Sequence, residues 1–256
     1  MGDATFTVDL NADLGEGFGI WRIGDDEALL GMVTSANVAC GFHAGDPAGL
    51  LAVCRMASIA GARVGAQVAY RDLAGFGRRY IDMDYDDLFA DVAYQIGSLQ
   101  ALAHVAGLRV GYVKPHGALY HAVIDNPHQA RAVASAVHAV DPTLTVLGLP
   151  HSLLFREAEM IGLRTVAEVF ADRAYRPDGT LVPRREAGAV LHDPAVIAER
   201  AVRMVTEGLV TAEDGTDVEV RAESICVHGD SPGAPHILAA VWEELRAAGV
   251  DLQPFC

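Results

Sequence analysis

Positive charge is scarce in this sequence. Its 19 Lys and Arg residues stand against 34 Asp and Glu, a formal net charge of −15. Nucleic acids and anionic membrane surfaces both call for a basic footprint, so neither is an expected partner. Long apolar runs are missing too, and nothing approaches the roughly 20 residues needed to cross a bilayer. Residues 1–10 include Asp3 and Asp9 and show no basic-then-apolar pattern, so no secretory leader is expected. The four cysteines (Cys40, Cys54, Cys226, Cys256) form no CxxC or zinc-finger spacing. Cys40 and Cys226 sit in apolar runs, as small hydrophobes do, with no activating partner nearby in sequence. A reduced, cytoplasmic protein without a cysteine nucleophile is the expectation. There is no Walker GxxxxGK[ST] motif, and Gly15-Glu16-Gly17-Phe18-Gly19-Ile20 misses the last glycine of the dinucleotide fingerprint. No linker, repeat or low-complexity tract interrupts the chain, so residues 1–256 are expected to form one domain.

What is present is core-forming material. Apolar residues make up 51% and charged residues 21%, which suits a large core and argues against disorder. Seven strand-like runs appear: Thr5–Val8 leading into Asp9, then 33–40, 63–70, 110–113, 143–149, 165–170 and 224–228. Most are followed by a helical pattern. Asp46-Pro47, Asn126-Pro127 and Asp193-Pro194 each read as an N-cap followed by the first helical position. Further helices are expected from Asp84 onward, near 152–162 and at 235–248. Segments 73–79 and 175–189 read as long loops, and the acidic 211–222 as a small exposed excursion. The strand runs are apolar rather than cleanly alternating, as in parallel sheets covered on both faces. An α/β fold follows, and polar residues after nearly every strand favour a TIM-like, seven-stranded (β/α) barrel. A doubly wound sheet would concentrate them at one switch point.

The strand ends supply Asp9, Asn11, Asp13 and Glu16; His43; Gln67; Lys114 and His116; His151; Glu168 and Asp172; His228 and Asp230. On one strand Asp9, Asn11 and Asp13 share a face. Taken alone, that stretch reads first as turn-forming Asx residues. Four of the ten histidines fall in this set, and together with carboxylates and a lysine they outweigh the bland reading. Such a set suits general acid–base work on a polar bond, and equally a divalent metal that activates water. Lys114 suits either a developing oxyanion or phosphate, or a structural ion pair with Asp9 or Asp13. Asp46 is an N-cap first. Gly75-Phe76-Gly77-Arg78-Arg79 is either a phosphate-handling loop with two guanidiniums or a solvated turn.

Several of these stretches carry a family resemblance. Asp9-Leu-Asn-Ala-Asp-Leu-Gly-Glu16, Asn37-Val-Ala-Cys-Gly-Phe-His-Ala-Gly-Asp-Pro47, Gly75–Arg79 and Lys114-Pro-His-Gly-Ala-Leu-Tyr120 come first in the chain. Glu168-Val-Phe-Ala-Asp-Arg-Ala-Tyr175, Leu181-Val-Pro-Arg-Arg185 and Cys226-Val-His-Gly-Asp230 follow. In this order they resemble the LamB/YcsF family. The resemblance implies a barrel similar to the glycoside hydrolase/deacetylase superfamily and the A subunit of an ATP-dependent 5-oxoprolinase. Its reaction opens the lactam of 5-oxo-L-proline to L-glutamate, with ATP as co-substrate, magnesium accompanying it, and subunits B and C as partners. On that basis Asp9, Asn11, Asp13, Glu16, His43, Lys114 and His116 are the expected catalytic set. Arg78, Arg79, Glu168, Asp172, Arg173, His228 and Asp230 are expected to bind substrate or phosphate. The competing expectations are a metal-dependent deacetylase or amidohydrolase acting alone, and a non-catalytic lactam- or carbohydrate-binding subunit. One position departs from the pattern. Where the family usually has Gly-Ala-His-Pro, this chain has Gly65-Ala66-Gln67-Val68, and glutamine cannot supply what an imidazole would.

Overall fold

The computed structural model describes residues 6–228 and 233–256. Asp230, one of the expected site residues, lies outside them. Seven parallel strands close into a barrel: β1 (Thr7–Leu14), β2 (Ser35–Ala39), β3 (Arg63–Val68), β4 (Val110–Pro115), β5 (Thr145–Gly148), β6 (Arg164–Phe170) and, after a small hairpin, β9 (Ser224–Val227), which pairs back onto β1. The hairpin is β7 (Leu209–Thr211) with β8 (Asp217–Glu219), and it is what the acidic excursion turns out to be. A short β10 (Asp251–Leu252) adds to the start of β1. The helices outside are α1 (Asp26–Leu30), α2 (Pro47–Ala60), α3 (Tyr85–Val105), α4 (Gly117–Asp125), α5 (Pro127–Val140), α6 (Leu153–Met160), α7 (Pro194–Thr206) and α8 (Ala234–Ala247). None is long and apolar enough to cross a membrane.

The start signals hold where a side chain can reach the backbone. Asp46 accepts from the amides of Ala48 and Gly49, Asn126 from His128 and Gln129, and Asp193 from Ala195. Asp84 precedes α3 without a side-chain cap. Two helices were not legible. α1 has only five residues, and α4 begins at Gly117 directly after a strand, with no polar cap in front.

The expectation of non-alternating strands needs correction at β1. Val8, Leu10, Ala12 and Leu14 are almost wholly buried in the apolar layer between strands and helices. Asp9, Asn11 and Asp13 alternate with them and face the barrel interior. There they meet Ser35 and Asn37 of β2, Tyr112 and Lys114 of β4, Glu168 of β6 and Ser224 of β9. The barrel thus has an apolar outside and a polar inside. Gly65 makes room for this filling, because a Cβ there would run into the Tyr112 ring. That ring in turn donates its hydroxyl to Asn37 Oδ1 at 2.7 Å.

Gly65→Ala is therefore expected to overpack the interior and lower stability by about 1–3 kcal/mol. Thermal unfolding followed by circular dichroism reads this as a fall of several degrees. An unchanged midpoint would mean that the Tyr112 ring moves aside without cost.

Candidate active site

The C-terminal ends of the strands surround a pocket with about 410 Å³ of empty space. Its floor is a buried polar ladder organised by Lys114. The ammonium lies 2.7 Å from Glu168 Oε1 and 3.3 Å from Asp13 Oδ1. It also reaches Asn11 Oδ1 at 3.3 Å and Cys226 Sγ at 3.1 Å. Asn37 bridges Asn11 and Asp13 at 2.6 and 2.9 Å. Burial works against every charge here, but the carboxylates and Cys226 Sγ more than compensate and keep Lys114 protonated far above neutrality. In return Lys114, followed by His228 and His116, overcomes the burial of Asp13 and holds it well below the usual carboxylate range. Both alternatives read for Lys114 thus meet in one residue: it is ion-paired, and it lines the pocket.

Asp9 sits on the same face of β1 as Asp13 but serves the scaffold. It accepts from Thr34 Oγ1 at 2.6 Å, from Ser35 Oγ at 2.5 Å and from Ser224 Oγ. Burial raises its pKa to about 6, with the hydroxyls partly offsetting the shift. Asn11 likewise divides its amide between Glu168 and Ser224.

A second group stands beside the ladder. Gly15 takes φ 70° and turns the chain so that Glu16 faces the mouth. Glu16 Oε1 lies 3.5 Å from His43 Nε2 and 3.6 Å from His116 Nε2, and the two rings stack with centroids 3.9 Å apart. Gly77 lets the 73–79 segment close over them, since a Cβ would come within 3.0 Å of both histidines. Burial brings His43 down to about 4, and burial together with His43 keeps His116 well below its ordinary value, so both rings are neutral at pH 7. Gln67 lies beside His43, but neither of its amide atoms makes a hydrogen bond of ordinary geometry.

On the opposite wall His228 Nδ1 lies 2.8 Å from Asp172 Oδ2. This leaves Nε2 as the reactive nitrogen of an oriented imidazole, a His–Asp pair of the kind used in general acid–base catalysis. Burial opposes the charge on Asp172, and His228 outweighs it.

The structure does not gather all the expected residues. His151 sits in an exposed turn at φ 64°, away from this pocket. Arg79 donates to Asp72 Oδ1 from Nε at 2.9 Å, so it is held by its own loop. Arg78 lines the pocket, with its guanidinium 4.9 Å from the centre of the Phe76 ring. Arg173 is buried and donates to the carbonyls of Ala189 and Val182. Tyr120, His121 and Arg184 line the pocket and were missed. Reading α4 from Gly117 would have placed Tyr120 and His121 one turn on, over the same opening. Cys226 finds in Lys114 a partner that its sequence neighbours do not show, yet burial pushes its thiol far up and leaves it protonated.

Two sets of buried side chains have the donor types of a divalent-metal site: Asp13, Cys226 and His228, and Glu16, His43 and His116. The first already holds a cation, the Lys114 ammonium. The second fits an ion better. Its donor atoms lie within 4.8 Å of one another, and neither the His43 nitrogens nor His116 Nδ1 make a hydrogen bond of ordinary geometry.

Keeping His43 and His116 neutral has a consequence for stability. The unfolded chain protonates them near the ordinary value of 6.5, while the folded chain resists until about 4 at His43 and holds His116 well below its ordinary value. Between pH 6.5 and 4 the unfolded state therefore binds more protons, and stability falls as the pH falls. Asp9, raised to about 6, works in the opposite sense between about 6 and 3.8. Two histidines against one aspartate leave a net loss on the order of 3 kcal/mol from pH 7 to pH 5. Urea unfolding at the two pH values measures it, and equal stabilities would contradict the neutral pair.

Comparison with known proteins identifies the family of the chain. The LamB/YcsF family profile matches residues 8–256. A Mycobacterium avium (strain 104) protein, named as the A subunit of 5-oxoprolinase, is 68% identical over 249 residues, spanning 97% of this chain and 99% of that one. The crystal structure of a lactam utilization protein from Thermus thermophilus matches with a TM-score of 0.93 at 46% identity, over 97% of this chain and 100% of that one. A peptidoglycan N-acetylglucosamine deacetylase shares the fold, with a TM-score of 0.50 at 12% identity over 97% and 86% of the two chains. With its motifs in order and a family match running from β1 to the last residue, this chain belongs to the LamB/YcsF family.

Proposed function

We propose that this chain is the hydrolytic A subunit of an ATP-dependent 5-oxoprolinase, acting with subunits B and C. The reaction opens the lactam of 5-oxo-L-proline to L-glutamate while ATP is cleaved to ADP and phosphate. The names of the relatives at 60–68% identity support the reading. The observation that carries it is the division of one small pocket into a charged side (Lys114, Asp13) and a neutral imidazole side, where His116 lines the pocket and is stacked on the buried His43.

A lactam is an amide whose resonance makes its carbon a poor electrophile. Transfer of the γ-phosphoryl group to the lactam oxygen removes that resonance. Water can then add to the ring carbon, and the ring nitrogen leaves as the amine once protonated, giving the acyl phosphate. Hydrolysis of that species releases phosphate and glutamate. The addition needs a base that is unprotonated at pH 7, which His116 is, with Glu16 3.6 Å away to stabilise the imidazolium that forms. The developing oxyanion needs a fixed positive charge, which Lys114 provides. The nitrogen needs a proton donor on the far side, and His228 held by Asp172 is placed for that role. A divalent ion held by Glu16, His43 and His116 would instead supply Lewis-acid polarisation of the substrate oxygen, with His116 a ligand and no longer the base. The same triad favours a second reading, an amidohydrolase that works without ATP.

His116→Gln is expected to lower ATP-dependent glutamate release by the reconstituted three-subunit complex about 10²- to 10⁴-fold with the fold intact. Turnover like that of the unmodified chain would remove His116 from the chemistry. Metal analysis before and after chelation, with glutamate release assayed without ATP, separates the two readings. Stoichiometric metal together with ATP-independent hydrolysis would favour the second.

A further inference from the structure

Acid–base chemistry leaves part of the pocket wall without a task. Arg78, Arg173 and Arg184 come from separate segments and converge there, in a chain of net charge −15. Arg173 acts as a post. Its guanidinium donates to Val182 O at 2.5 Å and to Ala189 O at 3.2 Å, and Val182 N donates to Ala174 O at 3.0 Å. The 175–189 segment, expected to be a loose polar loop, is thereby pinned across the mouth, with bridges between Tyr175 and Leu181 and between Arg173 and Val190. Arg184 follows two residues after Val182 and is half-buried over the opening. Its charge bears on Asp172 across the pocket and helps to keep that carboxyl below its ordinary value. Burial, and after it the charge of Arg184, brings Arg173 down to about 10, so these cations are held together against their mutual repulsion.

On the facing wall α4 starts at the pocket with Gly117, and the Gly77 carbonyl closes its first turn in part by accepting from Ala118 N at 2.8 Å. Tyr120, on that turn, lines the same space with its buried hydroxyl beside Glu168.

We propose that Arg184, together with Arg78, forms a subsite for the carboxylate of a small organic acid. In the reaction proposed above this is the carboxylate of the lactam substrate, and that identity rests on the proposed function; the anion subsite itself does not. Arg184 then sets specificity. It selects the lactam that bears a carboxylate over the bare ring, and it fixes which end of the substrate faces His116.

NMR titration of the purified chain tests this with four probes: 5-oxo-L-proline, 2-pyrrolidinone (the same ring without the carboxylate), acetate and inorganic phosphate. Arg184→Gln is expected to weaken 5-oxo-L-proline binding about ten- to a hundredfold, with Arg184→Lys restoring part of it. Binding of 2-pyrrolidinone should be the same in all three proteins. Equal affinity of the unmodified chain and Arg184→Gln for 5-oxo-L-proline would overturn the proposal. So would a matching loss for 2-pyrrolidinone, which marks a structural role. Arg184-dependent binding of phosphate alone would overturn the carboxylate assignment. Arg184-dependent binding of acetate without binding of 5-oxo-L-proline would uphold the subsite and sink the lactam reading.

Discussion

The mouth of this barrel depends on one buried ammonium. Lys114 enters from β4 into an interior that already holds Asp13 and Glu168, and its contacts with both decide the state of everything around it. Two buried carboxylates without a cation would repel each other and take up a proton, and a buried lysine without carboxylates would lose one. Held together, and with Asn11 and Asn37 filling the remaining positions, Lys114 and Asp13 stay charged although both are almost wholly buried. Such a network is costly to leave half-satisfied, so it fixes the side chains of β1, β2, β4 and β6 in one arrangement.

That fixed charge explains why the neighbouring histidines differ. His43 and His116 lie just beyond the ladder, buried and stacked on each other, and gain too little from nearby carboxylates to hold a proton. His228 has Asp172 bonded to Nδ1 and is oriented instead. Neighbouring imidazoles at one mouth thus present two kinds of chemistry, and burial and partners, rather than residue type, make the division.

Much of this was legible in the chain. Seven apolar runs, each followed by polar residues, dictate a closed parallel barrel, because each run needs both faces covered and each end opens toward a shared mouth. The prolines after Asp46, Asn126 and Asp193 marked helix starts correctly, since both halves of that signal are local. α4 was missed because its start carries no such signal, and with it went Tyr120 and His121. Arg78 and Arg79 are adjacent and chemically alike, so sequence could not separate them. The fold gives Arg79 to Asp72 and turns Arg78 toward the pocket.

The sequence by itself determined the class of fold, the family and the inventory of groups at the strand ends, because periodicity, caps and motifs are properties of neighbouring residues. Tertiary structure alone decided which groups are paired. Asp9 and Asp13 lie on one face of one strand, yet one accepts from three hydroxyls and the other meets Lys114. Arg184 reaches the mouth only because Arg173 pins the segment before it. Charge state and access depend on partners that lie up to about two hundred residues away in the chain, such as Ser224 on Asp9, and no local pattern encodes a contact of that separation.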